Sequence, residues 1–362
     1  VGITIGALPT GIYNAITDVA GVTVGHCSLI RGEGPLVPGV GPVRTGVTAI
    51  RPHPGDVFRD KVAAFVHRIN GFGEVTNSEM VRETGVLESP LVLTGTSNVP
   101  RAADGLLDWM LARDPDLGVS TWTPAPVVAE CSDQYLHDMR GRHVTAADVA
   151  AALDQAASGP VAEGGVGAGV GMSCCEFKGG IGTSSRQVPE GYTLGVLVLS
   201  NFGRREHLRI DGVPVGLALK GWNPPVEPPD LGGSSIIMVL ATDAPLDPRQ
   251  LERVSVRAGA GLARVGGLHS TTSGDFVIAF STTNRVAHTP TGRVITHHLV
   301  PEAQRAADTG PTVINQLFQA AIEATEEAIL NSLFRAETLT GRDGHVLHAL
   351  PIEETLRILN RN

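Results

Sequence analysis

Ser234-Ser235-Ile236-Ile237-Met238-Val239-Leu240-Ala241-Thr242-Asp243-Ala244-Pro245 is the stretch on which the reading of this chain turns. From Ile236 to Ala241 it is continuously apolar and short, the pattern of a buried central strand. Just upstream, Gly221 to Gly233 reads Gly-Trp-Asn-Pro-Pro-Val-Glu-Pro-Pro-Asp-Leu-Gly-Gly, with few helix or strand formers, and is the clearest linker in the chain. A serine pair therefore stands where a loose, glycine-rich segment enters a strand.

Other short runs rich in β-branched or large apolar residues punctuate the chain, each bounded by Gly, Pro or polar turns. They are Gly21–Gly25, Thr45–Ile50, Pro90–Thr94, Thr193–Leu199 and Phe276–Phe280. Helical patterns lie between them. Asp247-Pro248 offers an N-cap followed by proline in the first turn, and Leu251, Val254, Ala258 and Leu262 then trace one face. A second helix starts near Pro100 and carries Ala103, Leu106, Leu107 and Met110. The longest spans about 311–336, with Leu317, Ala320, Ala321, Ala324, Ala328 and Leu333 as its buried face. Strands interleaved with long helices predict an α/β or α+β layered protein, and no repeat of 20–50 residues divides it.

Composition narrows the function. The 362 residues are 42% hydrophobic and 18% charged, enough apolar material for a large core, and a single layered domain can hold them. A net charge of -9 with no Lys/Arg-rich block argues against a nucleic-acid partner. The four cysteines form neither a disulfide framework nor a metal-ligand spacing, and no run is long enough to span a membrane. The first residues lack the basic start and apolar core of a signal peptide, so the cytoplasm is the expected compartment, with a periplasmic location open if a leader was removed.

The serine pair suggests chemistry. A hydroxyl is a poor nucleophile until a base takes its proton and a fixed geometry aims it. At a strand head, Ser235 can be aimed at the carbonyl of Ser234; an N→O acyl shift and hydrolysis would give Ser235 a free α-amine, a base of lowered pKa. Taken by local sequence alone, a polar turn before a strand is the commoner explanation of the same four residues, Gly232 to Ser235. The second cluster, Ser270-Thr271-Thr272-Ser273-Gly274-Asp275, precedes the strand run Phe276–Phe280. If the two strands are neighbours, Ser235, Ser273 and Asp275 meet as nucleophile, relay hydroxyl and orienting acid.

Several motifs in order make the chain resemble the self-processing L-aminopeptidase/D-amidase-esterase family, which includes the β-peptidyl aminopeptidases. They are Ile16–His26, Arg44–Ile50, Asn70-Gly71-Phe72-Gly73-Glu74, Lys178–Arg186, Ser235–Leu246 and Ser273–Thr282. The resemblance covers nearly the whole chain. It implies a four-layer α/β/β/α sandwich, like the N-terminal-nucleophile hydrolases but differently connected. It also implies autoproteolysis of one catalytic domain, 1–362, into 1–234 and 235–362, and a homo-oligomer, a tetramer, of such pairs. By matching residues, Ser235 resembles the nucleophile, with Ser273 and Asp275 as its support; family members often have Glu where this chain has Asp275. Asn201 matches the amide that helps form the oxyanion hole, and Tyr135 resembles an active-site tyrosine. Glu130 and Asp133 are both candidates to hold the ammonium of a peptide, amide or ester substrate. Ser234 departs from the Gly or Asn that usually precedes the nucleophile, which leaves Ser234 itself as a second candidate. No metal or organic cofactor is implied.

Two rival functions stand beside this one. An acyltransferase of the ornithine acetyltransferase type shares a related fold but uses a threonine nucleophile. A non-catalytic glycine-rich binding protein would stay uncleaved. The glycine-rich run 163–171 has no P-loop ending and is expected to be a close-packed loop. Cys174-Cys175 is expected to be buried packing, and Lys178 either supports the site electrostatically or pairs with a structural acid.

Overall fold

The structure is a computed structural model that describes residues 2–224, 234–302 and 312–360. Most of the linker, 225–233, and the expected helix start at Pro311 lie outside the described residues. Along the chain run β1 (Thr23–Arg31), β2 (Val43–Arg51), β3 (Asp60–Gly71), α1 (Ser78–Thr84), β4 (Val86–Leu87), β5 (Leu91–Gly95), α2 (Val99–Leu111), β6 (Val127–Cys131) and α3 (Ala146–Asp154). There follow β7 (Ser173–Cys174), β8 (Phe177–Lys178), β9 (Gly180–Gln187), β10 (Thr193–Asn201), α4 (Val215–Ala218), β11 (Ser235–Thr242), α5 (Pro248–Val265) and β12 (Gly274–Ala287). The C-terminal part holds α6 (Val313–Phe334), β13 (Leu339–Thr340), β14 (Val346–Leu347) and α7 (Ile352–Leu359).

Two sheets stack face to face. One has the order β1-β2-β5-β6, the other β4-β3-β12-β11-β10-β9. Alternation along β11 shows how the layers arise: Ile237, Val239 and Ala241 pack with Ile50, Leu93 and Val127 of the opposite sheet, whereas Ile236, Met238 and Leu240 pack on the helices. A strand buried on both faces has no polar side to show, which is why its sequence is unbroken apolar. Leu251, Val254, Ala258 and Leu262 of α5 and Leu317, Ala324 and Leu333 of α6 cover that helix side. The outer face of the smaller sheet, with Val47, Ala49 and Val92, is covered by α2 and α3. The order is helix, sheet, sheet, helix, as expected.

Local signals were obeyed with small shifts. Asp247 caps α5 by accepting from Gln250 N at 2.7 Å, and Gly266 ends the helix in the left-handed conformation at φ 104°. On α2 the buried side is Ala102, Leu106 and Met110, with Ala103 and Leu107 half-buried, so the face is turned by about one residue from the expected one. Lys178 lines neither cavity at the serine pair and has no ion pair among the described residues. It is buried and donates to the carbonyls of Gly169 (2.8 Å), Met172 (3.2 Å) and Gly179 (2.7 Å). Burial lowers its pKa to about 7, while three acceptors call for the three hydrogens of an ammonium. Lys178 thus staples the glycine-rich loop, whose residues 167–171 are all buried as a short 3-10 turn. Arg186, fully buried on β9, ties that strand to α6 through Glu327 at 2.6 Å and Glu323 at 3.3 Å. All four cysteines are free.

Candidate active site

Sheet register sets the site. β11 pairs antiparallel with β10 and parallel with β12, placing Ser235 opposite Asn201 on one side and Gly274 on the other. The parallel pair is joined through α5, so both strands begin at the same end of the sheet. Three segments distant in sequence thereby deliver their chemistry to one edge.

Ser235 is 3% exposed, and its Oγ donates to the carbonyl oxygen of Ser234 at 2.7 Å. The amide N–H of Gly274 donates to the same carbonyl at 3.0 Å and lies 3.3 Å from Ser235 Oγ. That carbonyl is therefore polarised by two donors, one of them the hydroxyl expected to attack it. Gly274 must be glycine here: a Cβ would stand 2.7 Å from Phe72 O and 2.9 Å from the Cα of Gly73.

Asp275 and Ser273 meet as the sequence suggested, but on the far side of the peptide. Ser273 Oγ donates to Asp275 Oδ1 at 2.6 Å and reaches Ser234 Oγ at 3.4 Å, rather than Ser235. The cause is strand alternation: Asp275 lies opposite Ile236, whose side chain faces the helices, while Ser235 shares the other face with Ile237. A register irregularity between Asp275 and Phe276 adds a local kink. Asn70 holds the loop before β12, its Nδ2 donating to Ser270 O at 2.9 Å and Ser273 O at 2.5 Å.

Asn201 stands at the end of β10, and its Oδ1 accepts from Ser173 N at 2.8 Å. This fixes the amide's orientation, so its NH2 is the end directed elsewhere. That suits a donor role beside Ser235.

Ser235 opens into a cavity of about 450 Å3 lined by Phe72, Gly73, Thr96, Glu130, Ser132 and Gln134, among others. Glu130, at the end of β6, is its buried acid. Its Oε1 accepts from Glu74 N at 3.0 Å and its Oε2 from the Thr96 hydroxyl. Burial raises its pKa above the ordinary glutamate value despite those two donors. Asp133, the other candidate, lines no part of this cavity. It is 0% exposed, packed against Gly95 and Gly171, and burial raises its pKa to about 7. Its oxygens have no well-formed hydrogen bond among the described residues, although Thr45 is beside them. Tyr135 is also absent from the cavity lining and stacks on His345 with ring centroids 4.5 Å apart. The turn after β6 points Ser132 and Gln134 inward instead, a choice that sequence spacing alone does not specify.

Three site features had no sequence signal that singled them out: the Gly274 N–H, the Thr96–Glu130 contact, and His269, whose Nδ1 lies 2.8 Å from Asp275 Oδ2. No cluster of three metal-ligating side chains occurs among the described residues.

The chain resembles known proteins over most of its length. The model of peptidase family S58 matches residues 14–347. A beta-peptidyl aminopeptidase from Sphingosinicella xenopeptidilytica is 42% identical, over 96% of this chain and 87% of its own length. Among solved structures, the PH0078 protein from Pyrococcus horikoshii OT3 superposes with a TM-score of 0.92 at 50% identity, covering 99% of this chain and 97% of that one. The L-aminopeptidase D-Ala-esterase/amidase from Ochrobactrum anthropi, described as a prototype serine aminopeptidase with a variant of the Ntn hydrolase fold, gives 0.87 at 38% identity, covering 98% and 96%.

Proposed function

The chain belongs to peptidase family S58 and is an aminopeptidase, and from that premise we propose that Ser235 is its nucleophile, first against its own chain and then against substrates. The observation that carries this is the contact of Ser235 Oγ with the Ser234 carbonyl at 2.7 Å, with the Gly274 N–H on the same oxygen at 3.0 Å. In self-cleavage, Oγ bonds to the Ser234 carbonyl carbon, the C–N bond to Ser235 breaks, and the hydroxyl proton passes to the departing nitrogen. Water then hydrolyses the ester, leaving fragments 1–234 and 235–362 and a free α-amine on Ser235.

That amine becomes the base for substrate hydrolysis. It takes the Oγ proton as Ser235 attacks the carbonyl after an N-terminal amino acid, then returns it to the leaving amine or alcohol, so peptides, amides and esters are all substrates. Asn201 donates to the developing oxyanion, a contribution of roughly 3 kcal/mol for one such donor. Glu130 holds the substrate ammonium: a carboxylate desolvated by burial regains its favourable interaction when a cation arrives. Ser273 and Asp275 support the reacting centre from the opposite side. A homo-oligomer of processed pairs is part of this proposal, supported by exposed apolar side chains such as Val119, Trp122 and Val40.

Intact mass under denaturing conditions tests it. Wild type should give two fragments, 1–234 and 235–362, and Ser235→Ala a single chain. A single chain in both would sink the self-cleaving nucleophile.

A further inference from the structure

Asp275 is 1% exposed, and each carboxylate oxygen has its own side-chain partner. Oδ1 receives the Ser273 hydroxyl at 2.6 Å, and Oδ2 faces His269 Nδ1 at 2.8 Å. An ionised carboxylate has only acceptors, so Nδ1 carries the hydrogen and donates. The row His269–Asp275–Ser273 then continues to Ser234 Oγ, 3.4 Å from Ser273 Oγ and carried by the residue whose carbonyl Ser235 attacks.

Two further observations set His269 apart from a casual surface histidine. Its backbone sits in the left-handed region, φ 49°, a conformation that costs a side-chain-bearing residue energy and needs its surroundings to hold it. It also lines a cavity of about 430 Å3 with Ser234, Ser273 and Asp275, on the helix side of the serine pair, away from the cavity that holds Glu130. The loop that presents it follows the α5 C-cap at Gly266 and is held at its far end by Asn70. The imidazole is therefore delivered to Asp275 by a fixed turn.

We propose that His269 is a positioning residue: it holds Asp275 by Oδ2 so that Oδ1 keeps the Ser273 hydroxyl aligned on the head of β11, where the Ser234–Ser235 peptide stands before cleavage and the Ser235 amine after it. This rests on Ser273 and Asp275 serving Ser235. Removing the imidazole frees the carboxylate to rotate about χ2, and the Ser273 hydroxyl loses its fixed acceptor. Binding of the substrate amine, on the other face at Glu130, should not change.

The test compares His269→Ala, His269→Asn and Asp275→Asn with wild type. The asparagine amide nitrogen stands near the place of Nδ1, and asparagine tolerates left-handed φ, so it restores the donor without the imidazole. Processed fraction is fixed by intact mass. Then kcat and KM are measured per processed chain on whichever of alanyl or β-alanyl p-nitroanilide wild type hydrolyses. His269→Ala should lower kcat roughly tenfold to a hundredfold, the value of one charge-assisted hydrogen bond, with KM unchanged. His269→Asn should recover most of that loss. If His269→Ala is not processed, the rate of precursor cleavage is compared by the same criteria. A kcat for His269→Ala within about twofold of wild type, or His269→Asn as impaired as His269→Ala, overturns the proposal. If Asp275→Asn retains wild-type kcat, the support role of Asp275 itself fails; if only His269→Ala is silent, that role stands and the positioning proposal falls.

Discussion

The two faces of the Ser234–Ser235 junction are built for different tasks. Towards the opposite sheet, Ser235 looks into a cavity with Glu130 as its buried acid, held by Thr96 and the Glu74 N–H. Towards the helices, Ser234 meets a hydrogen-bonded row, Ser273, Asp275 and His269, bordering a second cavity. One face has a carboxylate that accepts from fixed donors yet pairs with no cation among the described residues; the other has a carboxylate already satisfied on both oxygens. The first arrangement suits capture of an ammonium, the second suits holding a hydroxyl in place. A strand that alternates its side chains can separate binding from alignment across a single peptide bond.

The largest effect should come from choosing between the two serines. Ser235→Ala should abolish both self-cleavage and hydrolysis, while Ser234→Ala should keep both, with self-cleavage slowed by the lost Ser273 contact, because the hydroxyl 2.7 Å from the Ser234 carbonyl belongs to Ser235. Intact mass and a p-nitroanilide assay on the two variants decide it. The reverse outcome would move the nucleophile to the helix-side face, where Ser273 contacts Ser234.

Glu130→Gln probes the other face. It should raise KM about tenfold or more for substrates with a free amine, the worth of a charge-assisted bond of roughly 1.5–3 kcal/mol, and change self-cleavage little. pH gives a second view. Burial raises the Glu130 pKa, so the carboxylate is lost on acidification earlier than an ordinary glutamate would lose it. KM of wild type should rise as pH falls through that raised value, and Glu130→Gln should lack this limb. A KM independent of pH in wild type would remove Glu130 from amine binding.

Asp133 provides the smallest and most selective contrast, since it is equally buried but outside both cavities. Its pKa, raised to about 7 from an ordinary value near 4, means the folded state binds a proton that the unfolded state has lost. Stability from this group is therefore present at low pH and declines as pH rises from about 4 to about 7. Asp133→Asn should flatten that part of the urea-unfolding stability curve while leaving KM unchanged. A changed KM would return Asp133 to the site.

Much of this was legible in the residues. The apolar run Ile236–Ala241 gave a strand buried on both faces, and Asp247-Pro248 gave the start of α5; both signals are local and were obeyed. The covered faces of α5 and α6 followed from periodicity because each helix packs one stripe on the sheet. Sequence matching also named Ser235, Ser273, Asp275 and Asn201, which the sheet register does bring to one edge.

What the sequence left open was direction. Glu130 and Asp133 are three apart on one short segment, and only the course of the turn after β6 sends one into the cavity and seals the other against Gly95 and Gly171. The same turn takes Tyr135 to His345 and leaves Ser132 facing the cavity. Ser273 and Asp275 were expected on the side of Ser235, yet the pleat places them across the peptide, beside Ser234. The identity of a strand is written in its own residues, because burial on both faces demands apolar side chains at every position. Which face a polar residue takes at the strand's end, and which distant loop meets it there, depends on register, turns and packing between segments far apart in the chain, and only the tertiary structure decided that.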